Sequence, residues 1–210
     1  MRVHPNTTYS LGRPRYRLAT FLLAAAFWLA ACANGGATAN LDAAPKRALI
    51  DFPSGIGRGY PTAQLIADKE RGTALQVGAS APDFALVLED GSHLRLSDIQ
   101  GRPVIINFWA TWCGPCRIEM PELMRAASKD ADLVLLAVNV QESRETVAPF
   151  AEEFEMDTLV IMDADGVLKT RYGVRGLPTT VFVNRAGEIG FIHAGILTPA
   201  TLEEQLAALR

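Results

Sequence analysis

The sequence predicts an α/β fold, a mixed central β-sheet flanked by helices, and two observations carry this prediction. Apolar runs typical of buried strands alternate along the chain with segments of helical periodicity. The run 133–140 is apolar, as expected of a central strand that is buried on both faces. The predicted domain covers residues 76–210, about 135 residues, which is long enough to bury a hydrophobic core.

The elements of this domain are predicted in chain order from apolar runs, turn formers and caps. A β-hairpin comes first, because the strands 84–88 and 93–96 flank a turn at 89–92. The remaining elements are the strand 104–109, a helix at 117–129, the strand 133–140, a helix that Ser143 caps and that ends near residue 155, a strand at 158–162, a short helix at 167–172, strands at 179–184 and 188–193, and a helix at 199–209.

The strongest chemical signal is the pair Cys113 and Cys116, which can open and close a disulfide. Cys113 falls between a predicted strand and a predicted helix, where unpaired backbone N–H groups and the helix dipole favour a thiolate. Such placement can lower a cysteine pKa from about 8.5 into a range of roughly 3.5 to 7.5. We therefore expect Cys113 to be the exposed nucleophile, and Cys116, one turn further along, to be the less exposed partner that closes on it.

Other uses of this pair are less well supported. A structural zinc site would need two more ligands at paired spacing, and the remaining candidates are scattered along the chain. These are Cys32, His4, His93 and His193. A purely structural disulfide would close too small a loop to constrain much of the unfolded chain. Copper(I) binding by a metallochaperone remains an alternative, because soft thiolates suit that ion. No cofactor or resident metal is predicted.

Two segments resemble a known family. Residues 107–121, which contain the cysteine pair, resemble the active-site stretch of the thioredoxin superfamily, in its TlpA-like and ResA-like branch of extracytoplasmic thiol-disulfide oxidoreductases. Residues 173–179 resemble the loop that carries the cis-proline of that family, here Pro178. The resemblance covers roughly 78–210. It implies a thioredoxin fold with an N-terminal β-hairpin and with an extra strand and helix inserted before the cis-proline.

The resemblance also implies a substrate groove beside the cysteines. A cis peptide bond before Pro178 would place the backbone of Leu177 beside the nucleophile, where an extended substrate segment can pair with it. Trp112 is expected at the apolar rim of this groove rather than in the core. Gly114 and Pro115, between the cysteines, are expected to contact substrate as well.

A carboxylate is expected to assist the second cysteine. Thioredoxin has a buried aspartate at the position of Asn107, which cannot accept a proton. Glu119 matches the active-site glutamate of the TlpA-like branch, and helical spacing places it on nearly the same face as Cys116. Its carboxyl could take the proton of Cys116 through a water molecule. The alternative is a solvated glutamate that interacts with the helix dipole or with Arg117.

The function that the resemblance implies is reduction of client disulfides by dithiol-disulfide exchange. Expected clients are cytochrome c apoproteins, and the expected electron donor is a membrane thiol transporter of the CcdA or DsbD type. A peroxiredoxin-like thiol peroxidase is a second alternative, since residues 81–84 resemble that group. Its reactive cysteine needs a threonine and a proline where this chain has Ala110 and Ile106.

The N-terminal region predicts where the protein works. Residues 1–31 contain four arginines and no acid, and they end in an apolar stretch of about 14 residues, the length of a signal-peptide core. Residues 29–32 resemble a bacterial lipobox, which implies cleavage before Cys32 and acylation of that cysteine. The alternatives are an uncleaved anchor and an ordinary signal peptide. We thus expect a lipid-anchored protein on the outer face of the bacterial cell membrane or facing the periplasm.

The segment 32–75 is predicted to be a flexible tether, because it begins with small polar residues and is rich in turn formers. Loss of the four arginines of residues 1–31 changes the formal net charge from −3 to −7. An acidic mature domain gives no support for nucleic-acid binding, which would call for a basic face.

Overall fold

The computed structural model of the protein describes residues 45–48, 61–65 and 75–209. The predicted signal peptide at 1–31, the predicted lipidation site Cys32 and most of the predicted tether lie outside these residues. Within the described residues, no helix is both long enough and apolar enough to cross a membrane.

The described residues contain eight strands, four α-helices and a 3₁₀ turn. In chain order, they are β1 (Thr62–Leu65), β2 (Phe84–Val87), β3 (His93–Arg95), the 3₁₀ turn (Leu96–Ile99), β4 (Val104–Trp109), α1 (Gly114–Lys129), β5 (Val134–Val140), α2 (Arg144–Glu153), β6 (Leu159–Asp163), α3 (Val167–Arg171), β7 (Thr179–Val183), β8 (Ile189–Ala194) and α4 (Pro199–Ala208).

The strands form one mixed sheet in the order β3-β2-β1-β6-β5-β4-β7-β8. Neighbours from β1 through β6 and β5 to β4 pair in parallel. The pairs toward each edge are antiparallel. On one side, β1 pairs with β2 and β2 with β3. On the other side, β4 pairs with β7 and β7 with β8. The predicted hairpin is present as β2 and β3, and the predicted insertion before Pro178 is present as β6 and α3. Both predictions are confirmed.

The prediction of a flexible tether is wrong for residues 62–65. These residues form β1, which pairs over four positions with β2 and also pairs in parallel with β6. The side chain of Ala63 is 5% exposed and belongs to the hydrophobic core. Closer to the N-terminus, Lys46 forms a parallel bridge with His93 of β3. The folded unit therefore includes residues that precede the predicted boundary at 76, because the hairpin needs a strand to join it to the rest of the sheet.

Side chains of β4 alternate between the two faces of the sheet. Ile106 and Phe108 belong to the core that the hairpin and α3 cover. Ile105 and Trp109 belong to the two clusters that lie beneath α1, α2 and α4. By the same alternation, Asn107 lies on the face that α1 covers. A buried amide side chain thus lies below the helix that carries the cysteine pair.

Candidate active site

Strand β4 and a short loop place the cysteine pair at the N-terminus of α1. Cys113 is the N-cap of this helix, and its Sγ accepts a hydrogen bond from the Cys116 N–H at 3.2 Å. The helix begins at Gly114, earlier than predicted, because Pro115 suits the first turn, where a backbone N–H has no partner within the helix. Cys113 and Cys116 form a disulfide whose Cα atoms are 5.2 Å apart.

The prediction that Cys113 is exposed is wrong in this disulfide form. Cys113 is 4% exposed and Cys116 is fully buried. Both cysteines lie in an apolar cluster with Trp109 and Met120, and the bond to the buried Cys116 holds Cys113 against that cluster. The difference in exposure between the two cysteines therefore has the predicted direction, but it is small.

The exposed part of the motif consists of the residues around the disulfide. Trp112 is 73% exposed, so it lies on the surface and not in the core. Ile118, just after the first turn of α1, is 69% exposed. Gly114 and Pro115 are also exposed. Large exposed apolar side chains beside a buried disulfide form a surface on which an apolar segment of another chain can pack.

The cis-proline loop meets the same cluster. The peptide bond between Leu177 and Pro178 is cis. Leu177 is half-buried and packs against the cluster that contains both cysteines. Pro178 is buried, and its carbonyl accepts a hydrogen bond from the Gly195 N–H at 2.9 Å. The two sequence motifs, far apart in the chain, therefore lie together at one end of the sheet.

Glu119 is buried beneath the motif, with 2% of its surface exposed. Its Oε1 accepts a hydrogen bond from Asn107 Nδ2 at 2.8 Å, and its Oε2 accepts one from the Leu197 N–H at 2.9 Å. Asn107 Nδ2 also donates to Thr180 Oγ1 at 2.9 Å. Asn107 and Glu119 thus form one buried polar group between α1 and β4. The sequence suggests only that the carboxylate found in thioredoxin at the position of Asn107 is replaced here by that of Glu119.

Burial raises the pKa of Glu119, and this is the largest influence on the group. Hydrogen bonds from Leu197 and Asn107 and the charge of His193 act in the opposite direction and offset part of the rise in pKa. The alternative of a solvated glutamate is therefore wrong. Arg117 pairs instead with Glu153, with a nitrogen–oxygen distance of 2.5 Å.

Sequence reasoning missed Glu142, which fixes the loop before Cys113. Its carboxylate accepts hydrogen bonds from the Thr111 N–H at 2.8 Å, from the Thr111 hydroxyl at 2.5 Å and from Asn139 Nδ2 at 2.7 Å. The preceding Gln141 has a φ of 60°, a conformation uncommon outside glycine. A signal existed in the sequence, since the carboxyl ends of the adjacent parallel strands β4 and β5 must lie side by side.

In the part of the chain that the structure describes, no group of three or more His, Cys, Asp or Glu side chains is placed to hold a metal ion. The thiols that could bind copper(I) are joined in the disulfide. The chemistry that this arrangement supports directly is the opening and closing of the Cys113–Cys116 bond.

Comparison with known proteins identifies the family. The profile of the AhpC/TSA family matches residues 77–192, more than half of the chain. The chain belongs to the AhpC/TSA family. Within this family it is similar to thiol-disulfide oxidoreductase ResA of Geobacillus kaustophilus, with 38% identity over 140 residues, which cover 66% of this chain and 80% of the relative.

Solved structures agree with this assignment. A structure assigned as thiol:disulfide interchange protein DsbE, from Chlorobium tepidum, aligns with a TM-score of 0.60 and 33% identity over 65% of this chain and 99% of that chain. The exposed lipoprotein thioredoxin Etrx1 of Streptococcus pneumoniae aligns with a TM-score of 0.53 and 30% identity over 60% of this chain and 99% of that chain. This AhpC/TSA protein therefore has a thioredoxin fold and is a ResA-like thiol-disulfide oxidoreductase.

Proposed function

We propose that this oxidoreductase is a lipid-anchored, extracytoplasmic reductant that passes electrons from the Cys113/Cys116 dithiol to disulfides of client proteins. The observation that carries the proposal is the position of the Cys113–Cys116 bond, at the N-terminus of α1 and against the cluster that Leu177 completes. A thiolate formed at Cys113 gains the helix N-terminus and the Cys116 N–H as stabilising partners.

The reaction proceeds in two exchanges. In the reduced protein, the Cys113 thiolate bonds to one sulfur of a client disulfide, the client S–S bond breaks, and the other client sulfur leaves as a thiolate that takes up a proton. The Cys116 thiolate then attacks Cys113 Sγ, which closes the Cys113–Cys116 disulfide and releases the second client sulfur. The client gains two electrons and the dithiol loses two, so the disulfide in the structure corresponds to the oxidised end of the cycle.

Glu119 is the proposed base for the second exchange. Its carboxylate lies on α1 one turn after Cys116, and its raised pKa suits a group that takes a proton near neutral pH. The route from Cys116 to the carboxylate runs through a water molecule. Because Asn107 and Leu197 each hold one carboxylate oxygen, the group stays fixed while the proton moves.

The proposed client-binding surface consists of Trp112, Gly114, Pro115, Leu177 and Pro178. No hydrogen bond to the backbone N–H or C=O of Leu177 is found among the described residues. An extended client segment can therefore pair with these groups and present its sulfur to Cys113. The exposed Trp112 lies at the rim, where it can cover apolar side chains of the client.

The clients that we infer are cytochrome c apoproteins, whose Cys-x-x-Cys-His motif must be reduced before haem attaches. The return of electrons requires a donor, for which we infer a membrane thiol transporter of the CcdA or DsbD type. The likeness to ResA and the Gly114-Pro115 dipeptide of thioredoxin support a reductant. Lipid anchoring at Cys32 is supported by the lipobox pattern and by the likeness to an exposed lipoprotein thioredoxin.

Trapping tests the nucleophile and the client together. Reduced Cys116→Ser protein incubated with oxidised apocytochrome c is expected to accumulate a mixed disulfide at Cys113, detected by mass spectrometry. Cys113→Ser is the matched control and is expected to form no lasting adduct. Equal trapping through Cys116 would overturn the assignment of the nucleophile, and trapping of the apoprotein by neither variant would overturn the proposed client.

Two further assays separate the other classes of function and the anchor. Tight copper(I) binding by the reduced protein without reduction of insulin would favour a metallochaperone, whereas hydrogen peroxide consumption that outpaces insulin reduction would favour a peroxidase. Cys32→Ser is expected to abolish lipid labelling in cells and to leave disulfide reduction by the purified domain unchanged. Lipid labelling that persists in this variant would show that Cys32 is not the anchor.

A further inference from the structure

The peptide group between Ile196 and Leu197 is held at both ends. Its N–H, on Leu197, donates to Glu119 Oε2 at 2.9 Å. Its carbonyl, on Ile196, lies 3.1 Å from His193 Nε2. A carbonyl oxygen only accepts hydrogen bonds, so Nε2 carries a hydrogen and His193 is the donor. Two hydrogen bonds therefore connect His193 to Glu119, with the Ile196–Leu197 peptide group between them.

The turn that carries this peptide is attached to the site at further points. Gly195 has a φ of 97°, a left-handed conformation that favours glycine, and its N–H bonds to the Pro178 carbonyl at 2.9 Å. Within the sheet, His193 on β8 is the register partner of Thr180 on β7. Thr180 in turn shares Asn107 Nδ2 with Glu119. His193 is thus connected to Glu119 both through the turn and through the neighbouring strands.

We propose that His193 is a positioning residue that acts on Glu119 through the Ile196–Leu197 peptide group, holding its N–H against the carboxylate and favouring the ionised form. This inference rests on the proposed role of Glu119 in the second exchange. Donation to the Ile196 carbonyl, on the exposed side of the turn, polarises the peptide group, because hydrogen bonds in a chain strengthen one another, and the N–H at the other end of this peptide bonds to Glu119 on the buried side. The polarised Leu197 N–H is then a better partner for a carboxylate than for a neutral carboxyl group.

Among the described residues, few other charges surround Glu119. The electrostatic contribution to its pKa comes from His193, and Asn107 and the Leu197 backbone act through hydrogen bonds. β4 and β7 contribute the neutral side chains of Asn107 and Thr180. On α1, the thiols of Cys113 and Cys116 titrate once the disulfide is reduced. The acids of α4, Glu203 and Glu204, are exposed to solvent.

The first test measures the pKa of Glu119 directly, from the NMR shift of its side-chain carboxyl carbon in the disulfide form. His193→Phe removes the donor, and this pKa is expected to rise by about half a unit, because the hydrogen bond from Leu197 to the carboxylate is weakened by a fraction of its strength and is not removed. His193→Gln supplies an amide donor close to the position of Nε2, and the pKa is expected to rise less than half as far. Equal pKa values in wild type and His193→Phe would overturn the inference.

The second test follows release of the mixed disulfide between pH 5 and 9. If Glu119 is the base, its pKa sets the acidic limb of the release rate, and His193→Phe is expected to move that limb up by the same amount. Introducing His193→Phe into Glu119→Gln protein is expected to change nothing further, because the group on which His193 acts is absent. An additional effect of similar size in that background would mean that His193 acts elsewhere.

Thr198→Ala is the matched control for a loosened turn. Thr198 caps α4 by accepting a hydrogen bond from the Thr201 N–H at 3.1 Å, and it follows Leu197 directly. Loss of this cap is expected to lower stability while the pKa of Glu119 stays at its wild-type value. A pKa shift in Thr198→Ala equal to that in His193→Phe would show that general loosening, and not the His193 contact, is the cause. The two proposals can fail separately. If the pKa of Glu119 responds to His193→Phe but Glu119→Gln protein releases clients at the wild-type rate, the role of Glu119 as the base is contradicted and the role of His193 is not.

Discussion

Asp163 and Glu119 are buried carboxylates on opposite faces of the sheet. Their hydrogen-bond partners, and not their burial, distinguish a structural group from a candidate reactive one. Asp163 is 1% exposed and Glu119 is 2% exposed, and burial is the largest cause of a raised pKa in both. Asp163 accepts hydrogen bonds from the N–H groups of Leu168 and Lys169, a few residues later in the chain. It therefore satisfies the first turn of α3.

Glu119 is held by residues that are distant in the chain. Asn107 comes from β4 and Leu197 from the turn before α4, so the carboxylate joins three elements at the point where the disulfide lies. Among the described residues, the side-chain carboxylate of Asp163 bonds to the backbone at the start of α3, so we expect its loss to lower stability. Glu119 accepts two hydrogen bonds from the described residues and lies on the same helix as Cys116, so we expect its loss to slow the proposed second exchange.

The largest expected effect comes from Asp163→Ala. This change removes the acceptor of the buried Leu168 N–H and of the partly buried Lys169 N–H and opens a cavity, so we expect a loss of about 3 kcal/mol in the free energy of unfolding. Urea denaturation measures it, with the exposed neighbour Asp165→Ala as control. The rate of insulin reduction per folded molecule is expected to stay unchanged. A slower rate at full folding would place Asp163 in the reaction and remove the contrast.

Glu119→Gln is expected to have the next largest effect, on kinetics. The first exchange remains, and release of the mixed disulfide slows by about 10- to 100-fold at neutral pH, at or below the usual range for a general base because water can substitute in part. The difference should shrink as pH rises and Cys116 ionises unaided. Glu122→Gln, on the same helix and paired with Arg125, is the control. Release at wild-type speed from pH 6 to 9 would make Glu119 a structural group like Asp163.

The smallest expected effect is on the pH dependence of stability. Because the pKa of each carboxylate is raised in the folded state, the folded protein binds protons more readily than the unfolded chain. The stability linked to each group is complete below the unfolded pKa, about 4, and is lost as pH rises through the folded pKa. Glu119→Gln and Asp163→Asn should each flatten this decline in urea denaturation series from pH 4 to 8. Variants with the wild-type slope would contradict the raised pKa values.

The strands and helices from residue 84 onward could be predicted because their signals are local. Apolar runs, caps and turn formers lie within each element, and the cysteine spacing fixes the position of the disulfide on α1. Strand β1 was missed because four residues, Thr62–Leu65, carry too little pattern to be recognised within a turn-rich stretch. Its strand character depends on β2 and β6, which pair with it from later in the chain.

The candidate site divides in the same way. Helical spacing placed Glu119 beside Cys116, but its burial depends on Leu197, 78 residues away. The contact of Glu142 with Thr111 spans 31 residues, and His193 is connected to Glu119 through a turn and through the pairing of β7 with β8, which local sequence patterns do not specify. The near burial of Cys113 follows from its bond to Cys116 and from the apolar cluster around both cysteines. The position of Cys113 before a predicted helix reveals neither the bond nor the cluster.

The position of β1 has a consequence for how a shorter form of this protein should be designed. A chain cut at residue 76, the boundary that the sequence predicts, would lack the strand between β2 and β6, and both would present open hydrogen-bonding edges. Open edges are templates for pairing with other molecules, so such a fragment is expected to self-associate even though it retains both cysteines. A fragment that starts at residue 45 keeps β1 and the bridge between Lys46 and His93, and it is expected to show no such self-association in size-exclusion chromatography.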